Sequence, residues 1–159
     1  MRGYQRFATA VIASVFLFGG IMPSSVSAQA PAAGQGDPPK PVFTLTGDAA
    51  VITMLIKPDK TGDFELVLHR LKEALEKSDN SKRREQAAGW KVFKSSELAQ
   101  GNAVYVMRID PVVPGEEYDI TRLIAEVFPV EVQELFLKYK DAFAGRGVTQ
   151  LTRVITMSQ

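Results

Sequence analysis

The chain has 159 residues, 45% of them apolar, with 19 Lys plus Arg against 18 Asp plus Glu, one histidine and no cysteine. That length fits one domain with one core, and the missing cysteines exclude a disulfide scaffold, a Cys-ligated zinc module, an iron–sulfur carrier and a thiol catalyst. A formal charge of +1 offers no sequence-wide field for phosphates, which disfavours a strongly basic nucleic-acid binder.

Residues 1–28 read as an address. Arg2 and Arg6 precede an uncharged stretch from Phe7 to Met22, and Pro23-Ser-Ser-Val-Ser-Ala28 follows, a sequence suited to signal-peptidase cleavage after Ala28. Ala28-Gln29-Ala30 offers a second cleavage point after Ala30. The apolar stretch falls short of the roughly 20 residues of a membrane span, contains Gly19-Gly20 and ends at Pro23, so a removed signal is expected over an anchor. Its removal takes away two arginines and no acid, and the formal charge changes from +1 to −1. An exported, periplasmic or secreted protein is expected, with no membrane contact after cleavage and a fold held by packing alone.

Gln29–Pro41 reads QAPAAGQGDPPKP. Its four prolines and two glycines leave almost nothing large and apolar to offset ordering entropy. Residues 29–47 are therefore expected to form a flexible leader, and residues 48–159 a single folded domain. Ala49-Ala-Val-Ile-Thr-Met-Leu-Ile56, stopped by Lys57-Pro58-Asp59, predicts a buried strand. After Thr61-Gly-Asp63, with Asp63 as N-cap, the residues Phe64, Val67, Leu68, Leu71 and Leu75 fall at helical spacing and predict a helix of about four turns.

Asp79-Asn-Ser-Lys-Arg-Arg84 reads as a polar connector, with Lys82-Arg-Arg84 a solvated basic cluster rather than a phosphate site. Trp90–Phe93 predicts a second strand and Gln100-Gly-Asn102 a turn into a third, Ala103–Ile109, which is ended by Pro111 and Pro114-Gly115. Asp119 caps a short helix over Ile120–Val127. Pro129 opens a longer helix carrying Val132, Leu135, Phe136, Tyr139 and Phe143, with Gly145 as its C-cap. Val148–Met157 alternates and reads as an edge strand with one solvated face.

This order is β-α-β-β-α-β, the ferredoxin-like α+β arrangement: a four-stranded antiparallel sheet with the first and third strands in the middle and both helices on one face. Those two strands are apolar on both faces. Val51 and Leu55 oppose Ala50, Ile52, Met54 and Ile56 in the first; Val104 and Val106 oppose Tyr105, Met107 and Ile109 in the third. Two helices cover one face, so the other must meet a second subunit or line an apolar cavity. Two apolar central strands, Gly89-Trp90 on the second strand, and Phe128-Pro129 leading to Tyr139-Lys-Asp-Ala-Phe-Ala-Gly145 together resemble the dimeric α/β-barrel superfamily, over roughly Ala49 to Met157. That resemblance implies a homodimer joined through the helix-free sheet face. The superfamily includes antibiotic-biosynthesis-type monooxygenases and stress-responsive barrel proteins, and it has no single catalytic signature.

Candidate chemistry is sparse. Glu65, His69 and Glu73 share a helix face at i, i+4 and i+8, a spacing that suits a divalent ion, but they read as a mixed-charge solvated face and no metal is expected. Some haem-degrading members of the superfamily use an Asn, a Trp and a His around a pocket. Trp90 lies on the wrong strand for that pattern and His69 turns away from the apolar stripe, so Asn102, Trp90 and His69 do not carry it over. Trp90 reads as a packing residue, and no cofactor is expected. If the helix-free face lines a cavity, Arg108, Asp110 and Lys57 are the charged groups placed to orient a ligand, with Tyr105 or Tyr118 as hydroxyl donors. The competing reading makes the charges a rim or interface ion pair. Glu116-Glu117 reads as a soluble turn.

No nucleophile elbow, P-loop, dinucleotide fingerprint, H-E-x-x-H or EF-hand loop occurs. The expectation is an exported homodimeric binding or interaction module with a partly apolar pocket or interface. The alternative is a cofactor-independent monooxygenase-like or isomerase-like enzyme.

Overall fold

A computed structural model describes residues 40–157, so the expected signal sequence and most of the expected leader lie outside the described residues. The domain is α+β, with strands β1 (Ala49–Ile56), β2 (Trp90–Ala99), β3 (Asn102–Ile109) and β4 (Phe143–Leu151). Its helices are α1 (Thr61–Lys77), α2 (Ser81–Gly89), α3 (Ile120–Val127) and α4 (Val132–Ala142). The strands form one antiparallel sheet in the order β2-β3-β1-β4, so β1 and β3 are central.

Alternation along β1 and β3 is complete. Ala50, Ile52, Met54 and Ile56 are buried, as are Ala103, Tyr105, Met107 and Ile109, while the residues between them are half-buried or exposed. The buried set joins Phe64, Val67, Leu71 and Leu75 of α1 and Ile120, Leu123 and Ile124 of α3 in one core. Phe64 meets Tyr105 edge to face, with ring centroids 4.9 Å apart. The β2–β3 hairpin closes through Gln100 and Gly101, whose φ angles of 53° and 76° match the two positive φ values that a tight hairpin turn requires.

The structure departs from the sequence reading where side chains that face inward are polar. The expected connector at Asp79–Arg84 is mostly helix α2, capped by Asn80, whose Oδ1 accepts from Lys82 N at 2.9 Å. Its inward residues are Arg83 and Gln86, so no apolar stripe announces it. Arg83 is a buried ion-pair centre rather than a solvated cation. Its Nε and Nη2 donate to the two oxygens of Glu126 at 2.8 and 2.7 Å, and its Nη1 donates to Glu116 at 2.9 Å and to Gln86 at 2.8 Å.

Helix α4 stops at Ala142, and Phe143 begins β4 instead of extending the helical stripe to Gly145. Pairing with β1, which sets Phe143 opposite Ile56, overrides the helical spacing. At its other end β4 stops at Leu151, short of the expected Met157, because β1 begins at Ala49 and offers no partner beyond it. Strand β2 runs on to Ala99 as an edge strand whose exposed tail carries no alternating pattern.

Residues 42–47, assigned from composition to the leader, belong to the folded domain. Leu45 is 1% exposed within the core. Glu117, expected in a soluble turn, is 4% exposed and holds this segment down: its carboxylate accepts from Val42 N at 2.7 Å, Phe43 N at 3.0 Å, Asp119 N at 2.9 Å and Tyr118 N at 3.1 Å. Burial alone would raise the Glu117 pKa, but the four backbone N–H donors outweigh it and hold the carboxyl below the ordinary 4.5.

Because the folded-state pKa is depressed, Glu117 contributes stability above pH 4.5, and that contribution disappears as pH falls through the folded value. Glu117→Gln should cost about 2 kcal/mol at neutral pH, since an amide N–H₂ then faces backbone donors. Urea unfolding of both proteins from neutral to acidic pH checks this: the gap should narrow as pH falls, and a gap independent of pH would refute it.

Candidate functional site

A recess lies where the helical layer fails to cover the sheet. A four-stranded sheet is about 19 Å wide, and the nine-residue α2 shields only the beginning of edge strand β2. Between β2 and the flank of α1 an open cleft of about 490 Å³ remains. Its apolar lining comes from Leu68, Leu71 and Leu75 of α1, Ala87 of α2, and Trp90 and Val92 of β2; its lip carries Glu65, His69, Lys72, Glu76 and Lys94, with Tyr105 at one end. On α1 these lip residues follow helical spacing, so the sequence 65, 69, 72, 76 runs along the helix for about 17 Å.

The charges on the lip neutralise one another. Lys72 Nζ donates to both carboxylate oxygens of Glu76 at 2.6 and 2.7 Å. Glu65 Oε1 accepts from Tyr105 OH at 2.6 Å and from Lys94 Nζ at 2.9 Å, and the Lys94 ammonium sits 5.4 Å from the centre of the Tyr105 ring. The hydroxyl of Tyr105, helped by Lys94, lowers the Glu65 pKa, while burial and then the Glu65 carboxylate raise that of Tyr105. Both groups move away from neutrality.

Trp90 is the chain's single tryptophan and is half-buried at the junction of α2 and β2. It packs on Tyr118 with ring centroids 5.6 Å apart. Among the described residues its indole Nε1 is the one buried side-chain nitrogen or oxygen with no hydrogen-bond partner. A buried N–H without an acceptor costs about 1–3 kcal/mol, and this one is closed to solvent, so a partner in the cleft reaches it only if the Trp90 ring turns outward.

The expected ligand-orienting residues do not gather. Arg108 and Asp110 form an ion pair at 2.8 Å at the end of β3, and Arg153 joins Asp110 at 2.8 Å. Lys57 pairs with Asp141 at 3.3 Å beyond the opposite end of β1, about 20 Å from Arg108 by strand geometry. Tyr105 belongs to the helix-covered face. Tyr118 is buried in the core, where its hydroxyl oxygen accepts from Val113 N at 2.8 Å. The charged members are thus rim ion pairs, and of the five only Tyr105 reaches the cleft.

Glu65, His69 and Glu73 form no metal centre, since Glu65 is held by Tyr105 and Lys94, and Glu73 by Arg70 at 3.0 Å and Lys77 at 3.3 Å. His69 instead stands exposed on the lip of the cleft. The sequence signal for this site was the second row on α1, Leu68 with His69, Lys72 and Glu76, together with a lone Trp after a glycine. No helix among the described residues is long and apolar enough to cross a membrane. Compared with known proteins, the chain matches no protein family, no curated protein and no solved structure.

Trp90→Phe keeps a ring against Tyr118 and deletes the orphaned donor. Its unfolding free energy in urea should stay within about 1 kcal/mol of the parent, whereas Trp90→Ala should lose about 3 kcal/mol or more. Equal losses in the two variants would show that the N–H is satisfied.

Proposed function

We propose that this chain is an exported, homodimeric binding domain of the ferredoxin-like, dimeric α/β-barrel kind, whose ligand occupies the α1–β2 cleft. One observation carries the binding reading: a buried indole N–H without an acceptor beside an apolar recess of about 490 Å³. That volume falls in the range of small-molecule sites, which combine apolar walls with a few polar groups.

The chemistry of the lip narrows the class of ligand. Lys72 and Lys94 are each engaged by a glutamate, so the cleft offers no spare cation for an acid. An uncharged, ring-sized apolar molecule with one acceptor oxygen suits it: the ring against Leu68, Leu75 and Val92, and the oxygen on Trp90 Nε1 once the indole turns toward the cleft. Binding is favoured over acid–base turnover by the Tyr105–Glu65 pair, because a general acid or base works best with a pKa near the operating pH and these two shift away from it. The enzymatic alternative, a cofactor-independent monooxygenase-like or isomerase-like barrel, would use the same recess for substrate.

The single tryptophan makes the test direct. Titration with α-tetralone should change Trp90 emission saturably, whereas tetralin, which lacks the acceptor, and naphthoate, which adds a charge, should bind at least about fivefold more weakly. By calorimetry Trp90→Phe should weaken tetralone binding by roughly five- to tenfold. Absence of saturable binding by all three compounds would overturn the binding reading, and tighter binding of naphthoate would overturn the assignment of a neutral ligand.

A further inference from the structure

The helix-free face of the sheet is apolar at its centre. Pairing registers set Leu55 of β1 opposite Val104 of β3, Thr53 opposite Val106 and Val51 opposite Arg108, with Phe93 of β2 beside Val106 and 53% exposed. Opposite Thr53 and Leu55, β4 contributes Gly147 and Gly145, which leave a flat ledge. The charged side chains paired into this face, Lys91 and Arg108, sit together at one end.

The segment that follows β4 starts at that same end. Arg153 is fixed twice, its backbone N donating to Asp48 Oδ2 at 2.7 Å and its guanidinium to Asp110 Oδ1 at 2.8 Å, and Asp110 is also bound by Arg108. Beyond this anchor Val154 is 95% exposed, Ile155 68% and Met157 90%. Residues 152–156 read Thr-Arg-Val-Ile-Thr, rich in β-branched residues that favour a strand, yet among the described residues no strand pairs with them. A strand-forming apolar segment left in water is a liability unless something covers it.

We propose that residues 152–157 form an arm that packs on a second copy of this chain, completing a two-fold interface whose centre is the helix-free sheet face. This rests on the homodimer part of the reading above and names the element that secures it. Area supports the arm. Eight-residue strands about 26 Å long in a sheet about 19 Å wide give a footprint of roughly 500 Å², below the roughly 800 Å² per partner of a stable interface. Burying Val154, Ile155 and Met157 adds roughly 200–350 Å², which brings the total to roughly 700–850 Å², within the range of a stable interface. In a two-fold arrangement each copy gives one arm and receives one, so the apolar face and the apolar arm of one sequence satisfy each other. The Arg153–Asp110–Arg108 cluster fixes the root of the arm at the rim of the face it leaves.

Sedimentation velocity over roughly 1 to 100 µM reads this directly. The parent protein should be a dimer. Val154→Asp combined with Ile155→Asp alters exposed side chains outside the core, so it should keep the circular dichroism spectrum and raise the dimer dissociation constant by about tenfold or more. Val106→Lys on the sheet face should weaken the dimer likewise, whereas Val130→Asp, 93% exposed in the α3–α4 turn, should not. A parent that stays monomeric overturns both the arm and the homodimer. A dimer unmoved by the arm substitutions overturns the arm alone, and one that Val106→Lys leaves intact removes the sheet face as its seat. Tetralone titration of Trp90 in the arm variant is unaffected in every case, because the cleft lies on the opposite face of the sheet, so the ligand reading stands or falls separately.

Discussion

The Glu117 carboxylate is the contact from which the rest of the architecture hangs. It takes backbone N–H groups from residues 42 and 43 and from residues 118 and 119, binding the entry segment to the loop before α3. That places Leu45 in the core and Tyr118 beneath the sheet, where Trp90 leans on it. The carbonyl of Glu117 accepts from Gln86 Nε2 at 2.8 Å, and Gln86 accepts from Arg83, so α2 and the Arg83 ion pairs are tied to the same loop. A buried carboxylate is tolerable because four backbone N–H groups donate to it in place of water. The buried Arg83 is balanced by Glu116 and Glu126 for the same reason.

From this anchoring come the two apolar surfaces of the domain. Helix α2 is held against the start of β2, and because it is short the rest of the edge strand stays uncovered, leaving the cleft on the helix side. Among the described residues the other face of the sheet receives no helix. The cleft and the open face are thus separated by the thickness of the sheet, and a ligand in one and a second subunit on the other would not compete.

The two central strands and the α1 stripe were legible because burial of apolar side chains has a period, two for a strand and 3.6 for a helix. Asp119 was legible as a cap for a similar reason: its carboxylate has a fixed partner three residues away, Arg122 N at 3.0 Å. Helix α2, the buried Glu117 and the place of residues 42–47 in the core were not legible. Each depends on polar groups paired across 30 to 75 positions, such as Arg83 with Glu116 and Val42 with Glu117, and long-range polar pairing has no period. The site was half legible. Tyr105 was read on the same face as Met107 and Ile109, where it lies, but its hydroxyl was enlisted for a cavity on the opposite face.

The sequence by itself determined which positions of β1, β3 and α1 turn inward, and that more apolar surface exists than one small sheet with helices on one face can cover. Composition and periodicity suffice for that, because the hydrophobic effect acts on area and is indifferent to partner. Only the tertiary structure decided where the uncovered surface lies. Strand pairing ended α4 at Ala142 and β4 at Leu151, which exposed the segment from Val154 to Met157, and the short reach of α2 opened the cleft at Trp90. These outcomes follow from which backbone groups find partners across the fold, and that depends on three-dimensional register rather than on local sequence.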